Sequence, residues 1–227
     1  MAIVVDYFAE ARPIQVSDLL YRASVLLQDE SNVRWPVAEL ISWMNEGVGA
    51  LIRLKPAAGA RRTIFALESG TLQHLDDSVV QLIDIVRNVA GDSYTPGRVV
   101  RLTDRQLLDA TNPDWHTMKK SASIRHYTYD DRTPAIFYVY PPAMPNTMVE
   151  ALLSVLPVAA DAEADYLSVN VEFSDSILNY MLYRAFGKDN EYANAAMATG
   201  YYQAFIASMG TGEQGEQTTT PTNKVPA

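Results

Sequence analysis

Few side chains in this chain are placed to do chemistry, and the densest group of them is His126 with Arg125 before it and Asp130 and Asp131 shortly after. A histidine near two carboxylates can act as a general base or hold a cation, so one reading is a hydrolase built on His126, Asp130 and Asp131. The plainer reading is a turn, because Asp130-Asp131-Arg132-Thr133-Pro134 has turn composition and needs no further assumption. Trp115-His116 is a second candidate, either a stacking platform for a sugar or base or a satellite core residue beside a helix end. No Gly-rich phosphate loop, Gly-x-Ser-x-Gly elbow or His-Glu-x-x-His occurs. Cysteine is absent, and His74, His116 and His126 stand far apart, so neither a thiolate nor a zinc site is expected. The sequence assigns no catalytic residue, no cofactor and no metal.

The elements that would position these groups start from the stretch between Arg34 and Pro56. Val37, Leu40, Ile41, Met44, Val48, Leu51 and Ile52 recur at three- and four-residue steps and predict a core helix opened by Pro36 and closed by Pro56. Burying those seven side chains would contribute on the order of 10–20 kcal/mol gross, an upper bound because the denatured chain is partly compact. Gly47 and Gly49 lie inside that helix and predict a close helix crossing. Trp43 falls toward its flank, as a lid over the core or a subunit contact.

Before this helix, Ser17 is placed to cap a shorter one whose face carries Leu19, Leu20, Ala23, Leu26 and Leu27. Residues 1–15 form an N-terminal arm, and its β-branched run Ile3-Val4-Val5-Asp6-Tyr7-Phe8 has no turn partner nearby, so it is expected to pair with another surface, such as another subunit. Ile3, Val5, Tyr7, Trp43 and Trp115 are therefore the candidate subunit contacts.

After Ala57-Ala58-Gly59-Ala60 the texture turns to short β-rich runs broken by Gly, Pro and Asp. Arg62 to Leu67 and Thr71 to Leu75 are read as a hairpin around Glu68-Ser69-Gly70. Val79 to Val89 is ambiguous: its Asp76-Asp77-Ser78 start suits a helical turn, but Ile83, Ile85, Val86 and Val89 favour a strand. Thr103-Asp104-Arg105-Gln106 predicts a capped short helix to about Ala110. Ile124 to Tyr129, Ala135 to Tyr140 and Met148 to Leu156 read as strands, with Pro141-Pro142 ending the second. Later, Ile177, Leu178, Met181, Leu182, Ala185 and Phe186 make a helical core stripe, Gly187 breaks it, and Asp189 starts a last helix to about Met209. Its apolar face carries Tyr192, Ala195, Ala196, Tyr202, Phe205 and Ile206.

The expected fold is α+β: a helical bundle from residues 16–60 and 171–209, a β-rich antiparallel insertion over 61–170, and a tail over 210–227 that is extended or disordered for want of apolar content. Thr218, Thr219, Thr220, Pro221, Asn223, Lys224 and Val225 of that tail are candidate partner-binding residues.

The formal charge is −9, with nine acidic against three basic residues from Ala151 onward, and no basic patch stands out along the chain. That argues against a protein that grips DNA phosphates. No apolar run approaches the roughly 18 residues of a membrane span. The start, Met1-Ala2-Ile3-Val4-Val5-Asp6, lacks the basic flank of a signal peptide, so synthesis and retention in a cytoplasm are expected.

Over most of its length the chain resembles the head-to-tail adaptor, or connector, proteins of short-tailed bacteriophages. The likeness rests on Arg34-Trp35-Pro36 with Glu39-Leu40 and Trp43-Met44-Asn45-Glu46-Gly47, on Gly70-Thr71 with Gln73, and on Val86-Arg87-Asn88. It continues in Pro113-Asp114-Trp115-His116, Phe137-Tyr138-Val139-Tyr140-Pro141-Pro142, Leu182-Tyr183-Arg184-Ala185-Phe186 with Lys188-Asp189 and Glu191-Tyr192, and Tyr202-Gln203-Ala204-Phe205. Leu75-Asp76 stands where the family tends to have Leu-Pro. The resemblance implies a non-enzymatic structural protein of the virion. It implies a ring, usually of twelve copies, beneath the portal protein, joining it to a tail or nozzle protein and letting genomic DNA pass without sequence-specific binding. Assembly would take place in the host cytoplasm. A tail-completion or stopper protein lower in the same stack is the alternative within that class.

Overall fold

The computed structural model describes residues 13–90, 95–188 and 193–219, with side chains described through Met209. The fold is α+β, and its described residues fall into two compact units, one spanning 56–157 and the other joining 13–55 to 158–219.

The second unit holds the main helices. Helix α1 (Val16–Leu26) and helix α2 (Val37–Leu54) come first in the chain, and α4 (Ser174–Gly187) and α5 (Ala195–Thr219) come last. Helix α4 packs on α1, α2 and α5. The α2 stripe is buried as its spacing requires, with Leu40, Ile41, Met44, Val48, Leu51 and Ile52 all out of solvent and Val37 half-buried. Pro36 is its N-cap and Lys55 its C-cap.

Ser17 does not cap α1. Gln15 holds that position, and the backbone N–H groups of Val16 and Ser17 donate to the Asp165 and Glu163 carbonyls at 3.1 and 3.0 Å. The loop over 163–165 thus satisfies the donors that a serine cap would have taken. Strand β1 (Pro13–Gln15) pairs antiparallel with β10 (Tyr166–Asn170) in this same unit. Helix α5 starts at Ala195, where the Asn194 side chain accepts the Met197 N–H, and runs to Thr219, past Met209. Among its residues through Met209, Ala198 and Phe205 are buried, while Ala195, Ala196 and Ile206 are exposed.

The first unit contains two four-stranded sheets. One has the order β2-β9-β4-β5, with β2 (Ala60–Ala66), β4 (Val79–Ala90), β5 (Thr95–Val99) and β9 (Met148–Val155). The other has the order β3-β8-β7-β6, with β3 (Gly70–His74), β6 (Arg101–Leu102), β7 (His126–Tyr129) and β8 (Ile136–Ala143). Leu82, Ile85 and Val149 from one sheet share a buried cluster with Tyr127, Phe137 and Val139 from the other.

The expected hairpin around Glu68-Ser69-Gly70 does not form. Gly70, at φ +123°, lets the chain leave one sheet and enter the other, so β2 pairs with β9 and β3 with β8. Val79 to Ala90 is wholly strand, as its β-branched content favours, and lies between β9 and β5. Strand β8 runs through Pro141-Pro142 to Ala143 and does not stop before them. Helix α3 (Arg105–Thr111) is capped by Asp104, which accepts the Gln106 N–H at 2.6 Å, and not by Thr103.

Candidate functional site

The sequence constellation comes apart in space. His126 opens β7 and Asp130 follows its last residue, so four strand residues at about 3.3 Å each separate their attachment points. Asp130 accepts both a backbone and a guanidinium N–H from Arg132, which hold its carboxyl down to about 2. It is a turn residue. Asp130 and Asp131 border a groove of about 590 Å³ with Thr103, Asp104, Arg105 and Tyr129, and His126 is not among the residues lining it. Among the described residues no group of three or more His, Asp or Glu is gathered as a metal site. No helix among them is long and apolar enough to cross a membrane.

Trp115 is fully buried. Its ring stacks on His116 with centroids 3.8 Å apart, meets Tyr138 and Tyr140 edge-on, and donates its Nε1–H to Asp109 at 2.9 Å. His116 Nδ1 shares a 2.8 Å hydrogen bond with Thr71 Oγ1. The pair is thus committed to packing α3 and the following turn against β8, and neither ring face of Trp115 is open as a platform. Trp43 is buried to 8% exposure in α2. Ile3, Val5 and Tyr7 lie outside the described residues, as do Thr220, Pro221, Asn223, Lys224 and Val225, while Thr218 and Thr219 end α5 with side chains outside the description.

Several residues carrying the family resemblance meet one another inside the helical unit. Asp29 is 7% exposed, and its carboxylate takes the N–H groups of Val33, Arg34 and Trp35 at 3.1, 2.7 and 3.0 Å. Burial works to raise its carboxyl, but those three bonds and the Arg34 charge prevail and hold it below the ordinary range. This fixes the entry to α2 and aims the Trp35 indole N–H at the Ala185 carbonyl, 3.2 Å away, with Phe186 against its edge.

Along the same crossing Glu39 meets Lys188 and Glu46 meets Arg184, each at 2.6 Å. Asn45 grips Ala160 both ways, at 2.8 and 3.0 Å. At Gly47 an added Cβ would stand 3.1 Å from Tyr180 Cδ1, so the close crossing is real there. At Gly49 it would meet nothing nearer than the Arg53 guanidinium at 3.4 Å, and that glycine does not serve the crossing.

One constellation was not visible along the chain. Strand β6 pairs in parallel with β7, setting Arg101 opposite His126, and the Arg101 N–H donates to the Arg125 carbonyl at 3.1 Å. The buried Asn88 amide donates to the carbonyls of both Arg98 and Ile124 at 2.8 Å, which draws β5 beside the start of β7. Arg98, Arg101 and Arg125, all exposed, therefore surround His126. Burial first, then those three charges, push the His126 imidazole below its ordinary value, and its Nδ1 is buried without a hydrogen-bond partner among the described residues. The signal in the sequence is only Arg-Val-Val-Arg at 98–101 and Arg-His at 125–126, and nothing there shows that they adjoin.

No curated protein matches the chain. The family model of the SU10 adaptor protein matches residues 14–226, and the chain belongs to that family.

Proposed function

From this membership we propose that the protein is a structural component of a bacteriophage virion, a head-to-tail adaptor whose copies form a ring beneath the portal, bind a tail or nozzle protein and let the genome pass. The family match carries the reading. Two features of the molecule support it. Several residues that carry the resemblance, Trp35, Gly47, Asn88 and Trp115 among them, are buried and spent on internal packing. And α1 leaves Tyr21 at 68% and Val25 at 42% exposed, four residues apart on one helical face, an apolar surface of the kind that marks a protein contact. A dodecamer is the expected copy number. Acidic side chains facing the channel would repel DNA phosphates and keep the genome from sticking in passage.

The segment after Gly210, including Thr218, Thr219, Thr220, Pro221, Asn223, Lys224 and Val225, is proposed to dock on the portal, and Ile3, Val5 and Tyr7 on a neighbouring copy. Deleting residues 211–227 keeps Ala198 and Phe205, the buried residues of α5 among those whose side chains are described, so the truncated chain should fold and fail to bind purified portal. Undiminished portal binding by the truncated chain would overturn the tail assignment. A stopper lower in the stack would bind the adaptor and not the portal, so the same pull-down with full-length chain separates the two readings.

A further inference from the structure

Three arginines side by side repel one another, and in a chain of formal charge −9 they would be expected to find carboxylates. The guanidinium groups of Arg98, Arg101 and Arg125 make no ion pair and no hydrogen bond among the described residues. Several acids of the same unit are already engaged: Asp104 caps α3, Asp109 takes Trp115 Nε1–H, and Asp84 takes the Tyr127 hydroxyl at 2.8 Å. Large aliphatic side chains next to the arginines along β5 and β6 are exposed too, Val99 at 59% and Leu102 at 63%. Strands β5 and β6 are the outer strands of their two sheets. A DNA backbone would answer the charges but would leave those aliphatic groups uncovered, whereas an acidic, partly apolar polypeptide surface answers both.

The chain itself carries such a surface. The loop over 158–166 exposes Val158 at 94% and Tyr166 at 59%, and between them Asp161 and Glu163, whose side chains make no hydrogen bond or ion pair among the described residues. The loop is held in shape from within. Asp165 takes the N–H groups of Asp161 and Ala162 at 2.9 Å each, Asn45 clasps Ala160, and the carbonyls of Glu163 and Asp165 accept from the start of α1. A surface already ordered loses little conformational freedom on docking.

We propose that the face formed by Arg98, Arg101 and Arg125 with Val99 and Leu102 docks on the 158–166 loop of a second copy of this chain, Asp161 and Glu163 meeting the arginines. The two patches differ, so the contact is heterologous and each copy has one of each to offer, the arrangement from which rings are built. This rests on the ring reading above and names the surfaces that would make it.

The absence of cysteine makes the test direct. Arg101→Cys and Glu163→Cys chains, mixed under mild oxidation in concentrated solution at low salt and again on purified portal, should give a covalent dimer of one variant with the other, about tenfold above either variant with itself. Adding Arg98→Glu and Arg125→Glu to the first variant should abolish that product, with circular dichroism confirming the fold. Random pairing, or no cross-link in both settings, overturns the proposal. So does a triple reversal at Arg98, Arg101 and Arg125 that leaves self-association intact while removing retention of short duplex DNA, because the face would then serve nucleic acid. Portal binding without the mixed cross-link would sink this interface and leave the adaptor reading standing. The mixed cross-link without portal binding would do the reverse.

Discussion

Asn88 and Ile124 clasp one another across the β unit: the Asn88 amide donates to the Ile124 carbonyl at 2.8 Å, and the Ile124 N–H returns to Asn88 Oδ1 at 2.7 Å. Their separation in sequence is 36 residues, and Asn88 is 6% exposed. With its further bond to the Arg98 carbonyl, this one side chain ties β4, β5 and the start of β7 together, and so sets the spacing of the three arginines. Gly97 allows it, since a Cβ there would stand 2.9 Å from the Asn88 carbonyl oxygen.

Replacing Asn88 with Leu keeps the volume and strands two carbonyls and an N–H. Each stranded group costs about 1–3 kcal/mol, so the expected loss is about 3 kcal/mol or more, read as a fall of several degrees in Tm. A change within half a kcal/mol would show that water replaces the amide and that Asn88 does not organise the unit.

The two glycines of α2 should respond oppositely to gaining a side chain. At Gly49 the added methyl meets only a mobile guanidinium, so Gly49→Ala should stabilise by about 0.5–1 kcal/mol through helix propensity. At Gly47 the methyl presses on Tyr180, and Gly47→Val, which cannot be accommodated at 3.1 Å, should cost about 2 kcal/mol or more. Urea titration of the two variants checks both signs.

Glu150, 3% exposed on β9, is clamped by Arg62 and by Arg87, the latter at 2.6 Å. Burial works to raise its carboxyl, but the hydrogen bonds and charges of the two arginines prevail and hold it below the ordinary range, as the backbone bonds do for Asp29. A depressed carboxylate stabilises the fold at pH above its ordinary value, and that contribution disappears as pH falls through the folded-state value. The unfolding free energy should thus be level near neutrality and fall in acid. Glu150→Gln and Asp29→Asn should each lower the neutral value and flatten the acid decline. An unchanged acid slope in both would contradict this account of the two carboxylates.

His126 reports on the arginine cluster. Arg101→Gln removes a positive charge beside a ring already disfavoured by burial, so the imidazole should titrate at higher pH than in the parent chain, as read by NMR. No movement would mean that the guanidinium does not face the ring.

How much of this was legible in the sequence depends on how local the cause is. Helix α2 was readable because Leu40, Met44, Val48 and Leu51 repeat at the helical period and Pro36 and Pro56 bracket them, signals contained in one segment. The cap of α1 was not, because its donors are met by carbonyls at 163 and 165, far along the chain. The false hairpin at Glu68-Ser69-Gly70 came from turn composition that marks a change of direction without naming the strand's partner. Trp115 could be placed near a helix end, but its burial depends on Tyr138 and Tyr140. The arginine face needed the parallel pairing of β6 with β7 and the reach of Asn88, neither of which has a periodic signature. The resemblance motifs marked which residues mattered, and the structure gives the reason: Trp35, Glu39, Glu46 and Gly47 on one side fit Ala185, Lys188, Arg184 and Tyr180 on the other.

The central claim is that this chain assembles on a portal as an adaptor, and electron microscopy of the purified protein, alone and mixed with purified portal, tests it most directly. The account predicts a closed ring of density added to one face of the portal, absent when residues 211–227 are deleted. Portal particles unchanged by an excess of the full-length chain would contradict it.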